Sequence, residues 1–569
     1  MKNIRSSNEL RSLLQSIDHK GYPAYKGLAG SWKFADYLLV IDHVQGDPFA
    51  SPSSLHVEID NSKAGFPAVY FEKECSCIAL RDFLTRQLYT QFERFNFKAK
   101  GSGKSGLLSI TRCGQEVLCR SACELKGQKW ILRFHVGFPA FGRSINAGEL
   151  QKILFDFLPK CIESSLFFSK LNKQEVERAV FLSEDQEEIR RILKKEGLVC
   201  FVANGSILPR KSGVSSRPLP EGVAFCSPVS MEKTIKLPHH GEIKGMAVKK
   251  GVTLIVGGGY HGKSTLLEAI QAGVYDHIEG DGREFVITDD TAVKLRAEDG
   301  RSIRDVDISL FINDLPNKKD TTSFTTQDAS GSTSQAAAVI EGMEAGSRLF
   351  LVDEDTSATN FMVRDEFMQQ VISKDKEPIT PFIERIRDLY EKAGISTIMV
   401  AGSSGEFFHI ADSVILMDCY RAVDITQKVK ELCKEKKTII REAQPFIMPG
   451  LERVYPSYKR TGKDNRYEHM KVKSYGLDSI SLDKEIVNVH YLEQLTDAEQ
   501  TQCLGLLLRL LLEQIIDGRK TVQQAVQTVY DRLLKEGFDT ISPSYVPCGL
   551  ARPRIQELFA CLNRFRGGM

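Results

Sequence analysis

The stretch GGGYHGKST, residues 257–265, restricts what this chain can fold into more than any other. Through Gly257, Gly262, Lys263 and Ser264 it satisfies the full phosphate-loop pattern of Gly, any four residues, Gly, Lys, then Ser or Thr. Such a loop works between a strand and a helix: glycines let successive backbone N–H groups turn inward around phosphates, the lysine reaches the β and γ oxygens, and the hydroxyl coordinates Mg²⁺. VTLIV (252–256) reads as the apolar strand leading in, and STLLEAIQAG (264–273) as an amphipathic helix whose N-terminal dipole faces the anion. The nucleotide-holding set is therefore Gly257, Gly258, Gly259, Tyr260, His261, Gly262, Lys263, Ser264 and Thr265. A second stretch, GSGKSG (101–106), offers similar residues, but Lys98 stands where the first glycine belongs and LLSITR after it reads as a strand. It is read as a flexible basic turn.

At 569 residues the chain exceeds what one core supports, and two to four domains are expected. Its 76 basic and 74 acidic residues leave a net charge of +2, so any nucleic-acid or membrane partner would need a local patch. Thirteen scattered cysteines without a Cys-x-x-Cys pair argue for reduced thiols rather than disulfides or zinc. No run nears the roughly 20 apolar residues of a membrane span, and Glu9 and Asp18 interrupt the basic N-terminus. The expectation is a cytoplasmic protein with no membrane partner.

YLLVIDHV (37–44) reads as a strand, and residues 77–95, 150–168 and 176–197 as helices, the last closed by Gly197. Short β-rich runs follow, and from Gly251 to about Asp424 strands alternate with helices. The fold class expected is α/β, a mostly parallel sheet flanked by helices. It would comprise an N-terminal α+β domain over 1–197, a core over 198–425, and a C-terminal α+β or helical accessory domain over 426–569.

RLFLVDEDTSATN (348–360) reads as a buried strand ending in two carboxylates. Asp353 would anchor Mg²⁺ together with Ser264, and Glu354 would orient and deprotonate the attacking water, with Lys263 on the phosphates. Some 20 residues earlier Ser330, Gly331 and Ser332 open an Ala-rich helix whose bare N–H groups suit a γ-phosphate, even one presented by another subunit.

In that order these motifs resemble the ATP-binding-cassette class. SGSTSQ is similar to its signature motif, and FLVDEDTSATN to its Walker B strand and D-loop. More closely, DHVQGDPFASPS (42–53), GFPAFGRSI (137–145), GDGREFVITDD (280–290), EPITPFIERIRDLY (377–390) and PRIQELFACLNRFR (553–566) resemble the predicted ABC-class ATPases, over nearly the whole length. The resemblance implies a homodimer with ATP sandwiched between one copy's phosphate loop and the other's Ser330–Gly331 element, hydrolysis opening the pair. The sequence departs from the class at Ala329, Ser332 and Asn360. Where a switch histidine would stand it reads AGSSG, which leaves Ser403, or else Ser404, to sense the γ-phosphate; FINDLP makes Asn313 or Asp314 the substitute for the coupling glutamine.

From Thr426 to Gly476 there are thirteen Lys or Arg against six Asp or Glu. Tyr455, Tyr458, Tyr467 and Tyr475 interleave with Lys459, Arg460, Lys463, Arg466, Lys471 and Lys473, the mixture that tracks a phosphate backbone while stacking bases, so RNA is the partner to test, against a solvated face. Asp42, His43 and Asp47 lack a ligand pattern, and Pro48 and Pro52 suggest a rigid turn there. The main reading is a non-transporter ATP hydrolase of the ABC class; the rival is an ATP-dependent dimerising interaction protein that seldom cleaves.

Overall fold

Residues 4–364, 377–402, 404–435, 445–458, 469–542 and 545–567 are described by the computed structural model. The chain packs as two units, Met1–Glu184 with Glu536–Arg552, and Asp185–Lys535 with Pro553–Met569.

In the first unit the alternation of LLVIDH and SSLHVEID produces neighbouring strands of a seven-stranded sheet. Its order is Ile4–Ser6, Gly30–Lys33, Leu38–His43, Ser53–Asp60, Lys129–Val136 and Leu108–Ser109, with Cys123–Lys126 also paired to Lys129–Val136. The helix Glu74–Glu93 buries Leu80, Leu84, Leu88 and Phe92, a four-residue repeat that keeps them on one face. The region read as one helix over 150–168 contains a π-helical turn at Ile153–Phe157 before Leu158–Leu166. Returning chain near the C-terminus belongs to this unit: Leu550 N donates to Ser121 Oγ (3.0 Å), and that hydroxyl donates to Pro547 O (2.8 Å).

The glycine-rich turn at 101–106 is not the flexible loop expected from its composition. Ser102 N donates to Ala140 O (2.8 Å), Lys104 N to Pro48 O (2.8 Å) and Gly106 N to Gly137 O (3.0 Å). These backbone donors are spent on carbonyls of its own unit rather than held for a phosphate. Asp42 is likewise engaged, its carboxylate 2.6 Å from His56 Nδ1.

The second unit holds a four-stranded antiparallel sheet, ordered Glu232–Leu237, Gly241–Lys249, Leu198–Ala203 and Val286–Thr288. Beside it in sequence runs the alternating α/β region: β1 (Val252–Val256), α1 (Lys263–Ala272), β2 (Val293–Leu295), β3 (Arg301–Val306), β4 (Phe324–Ala329), α2 (Gly331–Glu344), β5 (Leu349–Asp353), α3 (Phe382–Ala393), β6 (Ser396–Val400), β7 (Ser413–Asp418) and β8 (Arg421–Asp424). The six-stranded sheet has the order β2-β5-β6-β1-β7-β8, parallel except for the last pair. Strands β1, β5 and β6 are buried at every position, as continuous apolar runs require when helices cover both faces. Toward the C-terminus come a three-stranded sheet (Val472–Tyr475, Ser479–Leu482, Glu485–Asn488) and helices including Ala498–Leu510 and Ile555–Asn563.

His56 in the first unit yields a pH-dependent prediction. Burial pushes its pKa down, but hydrogen bonds to Asp42 and Glu58 outweigh this and hold it above the ordinary 6.5. The stability it contributes is fully present below pH 6.5 and is lost as pH rises through the raised folded value. Thermal melting should show His56→Gln less stable than the parent by about 1.5–3 kcal/mol at pH 6, the scale of charged hydrogen bonds, with the gap shrinking toward pH 9.

Candidate functional site

The phosphate loop folds because two of its glycines sit where side chains cannot. Gly257 has φ +145°, and a Cβ there would lie 2.3 Å from Met417 O; Gly262 has φ +96° and serves as the N-cap of α1. Tyr260 also takes a positive φ, +65°, and its side chain is 97% exposed at the mouth of the loop. The β7–β8 turn buttresses the loop from outside: Cys419 N donates to His261 Nδ1 (3.0 Å) and Tyr420 N to His261 O (3.1 Å). Lys263 folds back over the loop, its Nζ donating to Gly257 O and Gly258 O at 2.8 Å each. No side chain caps the start of α1, the kind of helix N-terminus at which an anion binds.

Sheet register brings the carboxylates to this loop. Asp353 pairs with Val400 of β6, and Val400 pairs with Ile255 of β1, so all three stand at one level two residues before Gly257. Only 8% of Asp353 is exposed, and burial raises its carboxyl pKa, opposed chiefly by the positive charge of Lys294. The side chain also accepts from Asp355 N (3.3 Å). Glu354 follows in a 3-10 turn and its Oε2 accepts from Gly402 N (2.6 Å), in the AGSSG stretch after β6. Ser403 lies outside the described residues; Ser404 Oγ accepts from Glu406 N (3.4 Å).

Hard oxygen donors at Ser264 and Asp353, beside inward N–H groups and a lysine, are the set that suits Mg²⁺ with a polyphosphate. The residues present therefore fit the pair of ligands that the sequence motifs imply.

Ser330 is the N-cap of α2 without capping it by its side chain, whose Oγ lies 3.0 Å from Thr333 Oγ1 instead. Among the described residues no hydrogen bond joins Ser330, Gly331 or Ser332 to the phosphate loop. They are tied instead to the stretch after Glu354: Ser332 Oγ donates to Asn360 Oδ1 (3.1 Å). Gln335, which sequence reasoning overlooked, clamps the two together; its Nε2 donates to Ser357 Oγ and its Oε1 accepts from Ala358 N, both at 2.9 Å. Asn313, one of the two residues read as the coupling substitute with Asp314, donates from its side chain to Ser309 O (2.6 Å) and from its backbone to Pro378 O (2.8 Å). The strand beside β5 is β2, and the residues leaving its end are Arg296 and Ala297, the latter donating to Thr356 O (3.0 Å).

Of the basic stretch, Lys459, Arg460, Lys463, Arg466 and Tyr467 lie outside the described residues. Tyr455 is only 4% exposed and packs under Arg304, so it is no stacking platform. Tyr458 packs edge-on against Phe565. Lys473 and Tyr475, by contrast, are exposed on one face of the strand Val472–Tyr475, and Lys471 just before it is exposed as well.

Family models match the chain along most of its length: the ABC-class ATPase N-terminal region over residues 7–169, and the P-loop domain of the ABC ATPases over 172–449. The chain belongs to the ABC-class ATPases. Residues 471–568 match the MRB1590 C-terminal domain, so this ABC-class ATPase carries extra domains on both sides of its P-loop core. It is 33% identical over 260 residues to the uncharacterized protein MJ1628 of Methanocaldococcus jannaschii, and 29% identical over 136 residues to the septation ring formation regulator EzrA of a Geobacillus species. Those matches span 44% and 24% of this chain, and only 57% and 20% of the two relatives. Among solved structures, cbiO1 from Clostridium perfringens, part of the ABC transporter complex cbiONQ, is 13% identical, covering 42% of this chain and 94% of its own. The ATP-binding cassette MJ1267 in its ADP conformation is 12% identical, covering 42% and 95%. Both likenesses have a TM-score of 0.25, too low to say how the present ATPase works. No helix among the described residues is long and apolar enough to cross a membrane.

Gln335 is 1% exposed, and replacing it by Leu would remove the acceptor of the partly buried Ala358 N–H. Denaturant unfolding of Gln335→Leu should show a loss of about 1–3 kcal/mol.

Proposed function

We propose that this ABC-class ATPase binds Mg-ATP at Gly257–Thr265 and hydrolyses it at a site completed by Ser330, Gly331 and Ser332 of a second copy. The observation that carries the reading is the shared level of Ile255, Val400 and Asp353, which sets the carboxylates beside the phosphate loop at the carboxyl ends of parallel strands. Ser264 and Asp353 would hold Mg²⁺, whose charge offsets that of the β and γ oxygens. Lys263 exchanges the carbonyls of Gly257 and Gly258 for phosphate oxygens, and Glu354 takes a proton from the attacking water. Since α2 makes its bonds to the stretch after Glu354, a nucleotide held by a partner's loop would feel the same clamp that positions this copy's Glu354. Ser403 is the proposed γ-phosphate sensor.

The three parts we assign are an N-terminal domain over 1–197, the core over 198–425 and an accessory domain over 426–569, in a cytoplasmic homodimer. RNA is the polymer proposed for the accessory domain. Lys473 and Tyr475 on one exposed strand face, with Lys471 just before it, support it, joined by Lys459, Arg460, Lys463 and Arg466 from the same basic stretch.

One observation supports a second reading, a dimerising module that seldom cleaves ATP. Glu354 Oε2 is engaged by Gly402 N, in a stretch without the switch histidine, which competes with its use as a base.

Equilibrium binding of labelled ATP should vanish in Lys263→Ala, and its persistence would remove the phosphate loop from the account. In single turnover, Glu354→Gln should bind ATP normally and cleave it at least about a hundredfold more slowly, the range for loss of a general base; equal slow rates would establish the dimerising module. Turnover should rise with added RNA, and the rise should fall steeply with salt if phosphate contacts carry it.

A further inference from the structure

The C-terminal stretch Tyr491–Gln494 is stitched to the open edge of the nucleotide sheet. Among the described residues β2 has a neighbouring strand on one side only, β5. Gln494 supplies much of what a strand would give on the other: its Oε1 accepts from Lys294 N (3.1 Å), and its Nε2 donates to Ala292 O (3.1 Å). Gln494 O in turn accepts from Tyr275 OH (2.9 Å), and Glu493 O from Gln271 Nε2 (3.0 Å). An edge covered in this way belongs to the architecture of the site rather than to a surface loop.

Within this join, one ammonium approaches the Glu493 carboxylate from the sheet face that also carries Asp353. Lys294 pairs in register with Leu351, and Asp353 stands two residues further along β5, so Lys294 and Asp353 share a face of the sheet. The Lys294 side chain is only 6% exposed, and its Nζ is 3.9 Å from Glu493 Oε2. Lys294 is also the strongest positive influence on the Asp353 carboxyl. Glu493 is held from its other side by Arg296, whose Nη1 donates to Oε1 (2.7 Å) and whose guanidinium lies 4.2 Å from the centre of the Tyr491 ring. A cavity of about 60 Å³ lined by Lys294, Arg296, Tyr491 and Glu493 leaves room for water and for a shift of the ammonium.

We propose that Lys294 is a positioning residue that balances Asp353 when the site is empty and shifts toward Glu493 when Asp353 takes up the magnesium ion of the nucleotide, so that Tyr491–Gln494 registers nucleotide state. This deepens the ATPase reading and rests on it. A divalent cation on Asp353 makes the ammonium redundant there and repels it, and Glu493 is the acceptor already within reach. By reciprocity, whatever draws Glu493 away returns Lys294 to Asp353 and weakens the hold on magnesium. The accessory domain would thereby act on the core through an edge strand instead of through the glutamine that this sequence lacks.

The test is the magnesium concentration that half-saturates uptake of a fluorescent ATP analogue by the full chain, with thermal melting as the check on folding. Glu493→Gln should raise this midpoint at least about fivefold, the lower range of measured couplings. Arg296→Gln, which leaves Glu493 uncompensated, should lower it, as should Lys294→Met. In the Lys294→Met background, adding Glu493→Gln should change nothing. An equal rise in both backgrounds would show a simple loss of nearby negative charge and overturn the relay, as would an unchanged midpoint in both Glu493→Gln and Arg296→Gln. Absence of any magnesium-dependent uptake by the unaltered protein would instead overturn the ATPase reading, and the relay with it.

Discussion

The parallel pairing of β5, β6 and β1 is the constraint on which the rest of this protein depends. Because Asp353, Val400 and Ile255 lie at one level, chain leaving the three strands enters one crevice: the phosphate loop from β1, the two carboxylates from β5 and Gly402 from β6. Slipping β5 by one residue would turn Asp353 to the opposite face and carry Lys294's neighbour with it. The site is thus a property of the sheet's register before it is a property of any side chain.

Around that crevice the structure builds a chain of fixed contacts instead of a set of independent loops. The β7–β8 turn holds His261, Gln335 ties the helix opened by Ser330 to the stretch after Glu354, and Ala297 reaches that same stretch from the end of β2. Further along α2, Glu341 pairs with Arg301, and Glu344 with Arg453, whose guanidinium also donates to Asn563 Oδ1. These ion pairs are buried, so breaking one partner strands the other, and they give the helix little freedom to move without the C-terminal elements. The helix opened by Ser330 is in this way fastened to Arg453 and, through it, to Asn563 near the C-terminus.

Much of this was legible in the residues. Apolar β-branched runs bounded by glycine predicted β1, β5 and β6, and Gly197 with φ +67° ends the helix Lys173–Glu196 as its position suggested. The phosphate loop was legible because its chemistry is local: nine consecutive residues contain the turn, the charge and the hydroxyl. Tyr455 was misjudged, since interleaving with lysines describes a surface only when the backbone keeps it there, and Arg304 and Arg453 draw this ring inside. Order along the chain does not say which strands border β5, and β2 and β6 do so only in the folded sheet.

The sequence by itself determined that this chain has a strand, a glycine cradle and a helix fit for a triphosphate, for those depend on neighbours within a few residues. It also settled which of two glycine-lysine stretches could serve, because Lys98 occupies a position only glycine fills. Tertiary structure alone decided that Glu493 reaches Lys294, that Gln335 joins two motifs, and that Gln494 finishes the edge of the sheet. Those contacts close loops of up to 200 residues, and no local pattern encodes a partner that only the folded sheet brings within hydrogen-bonding distance.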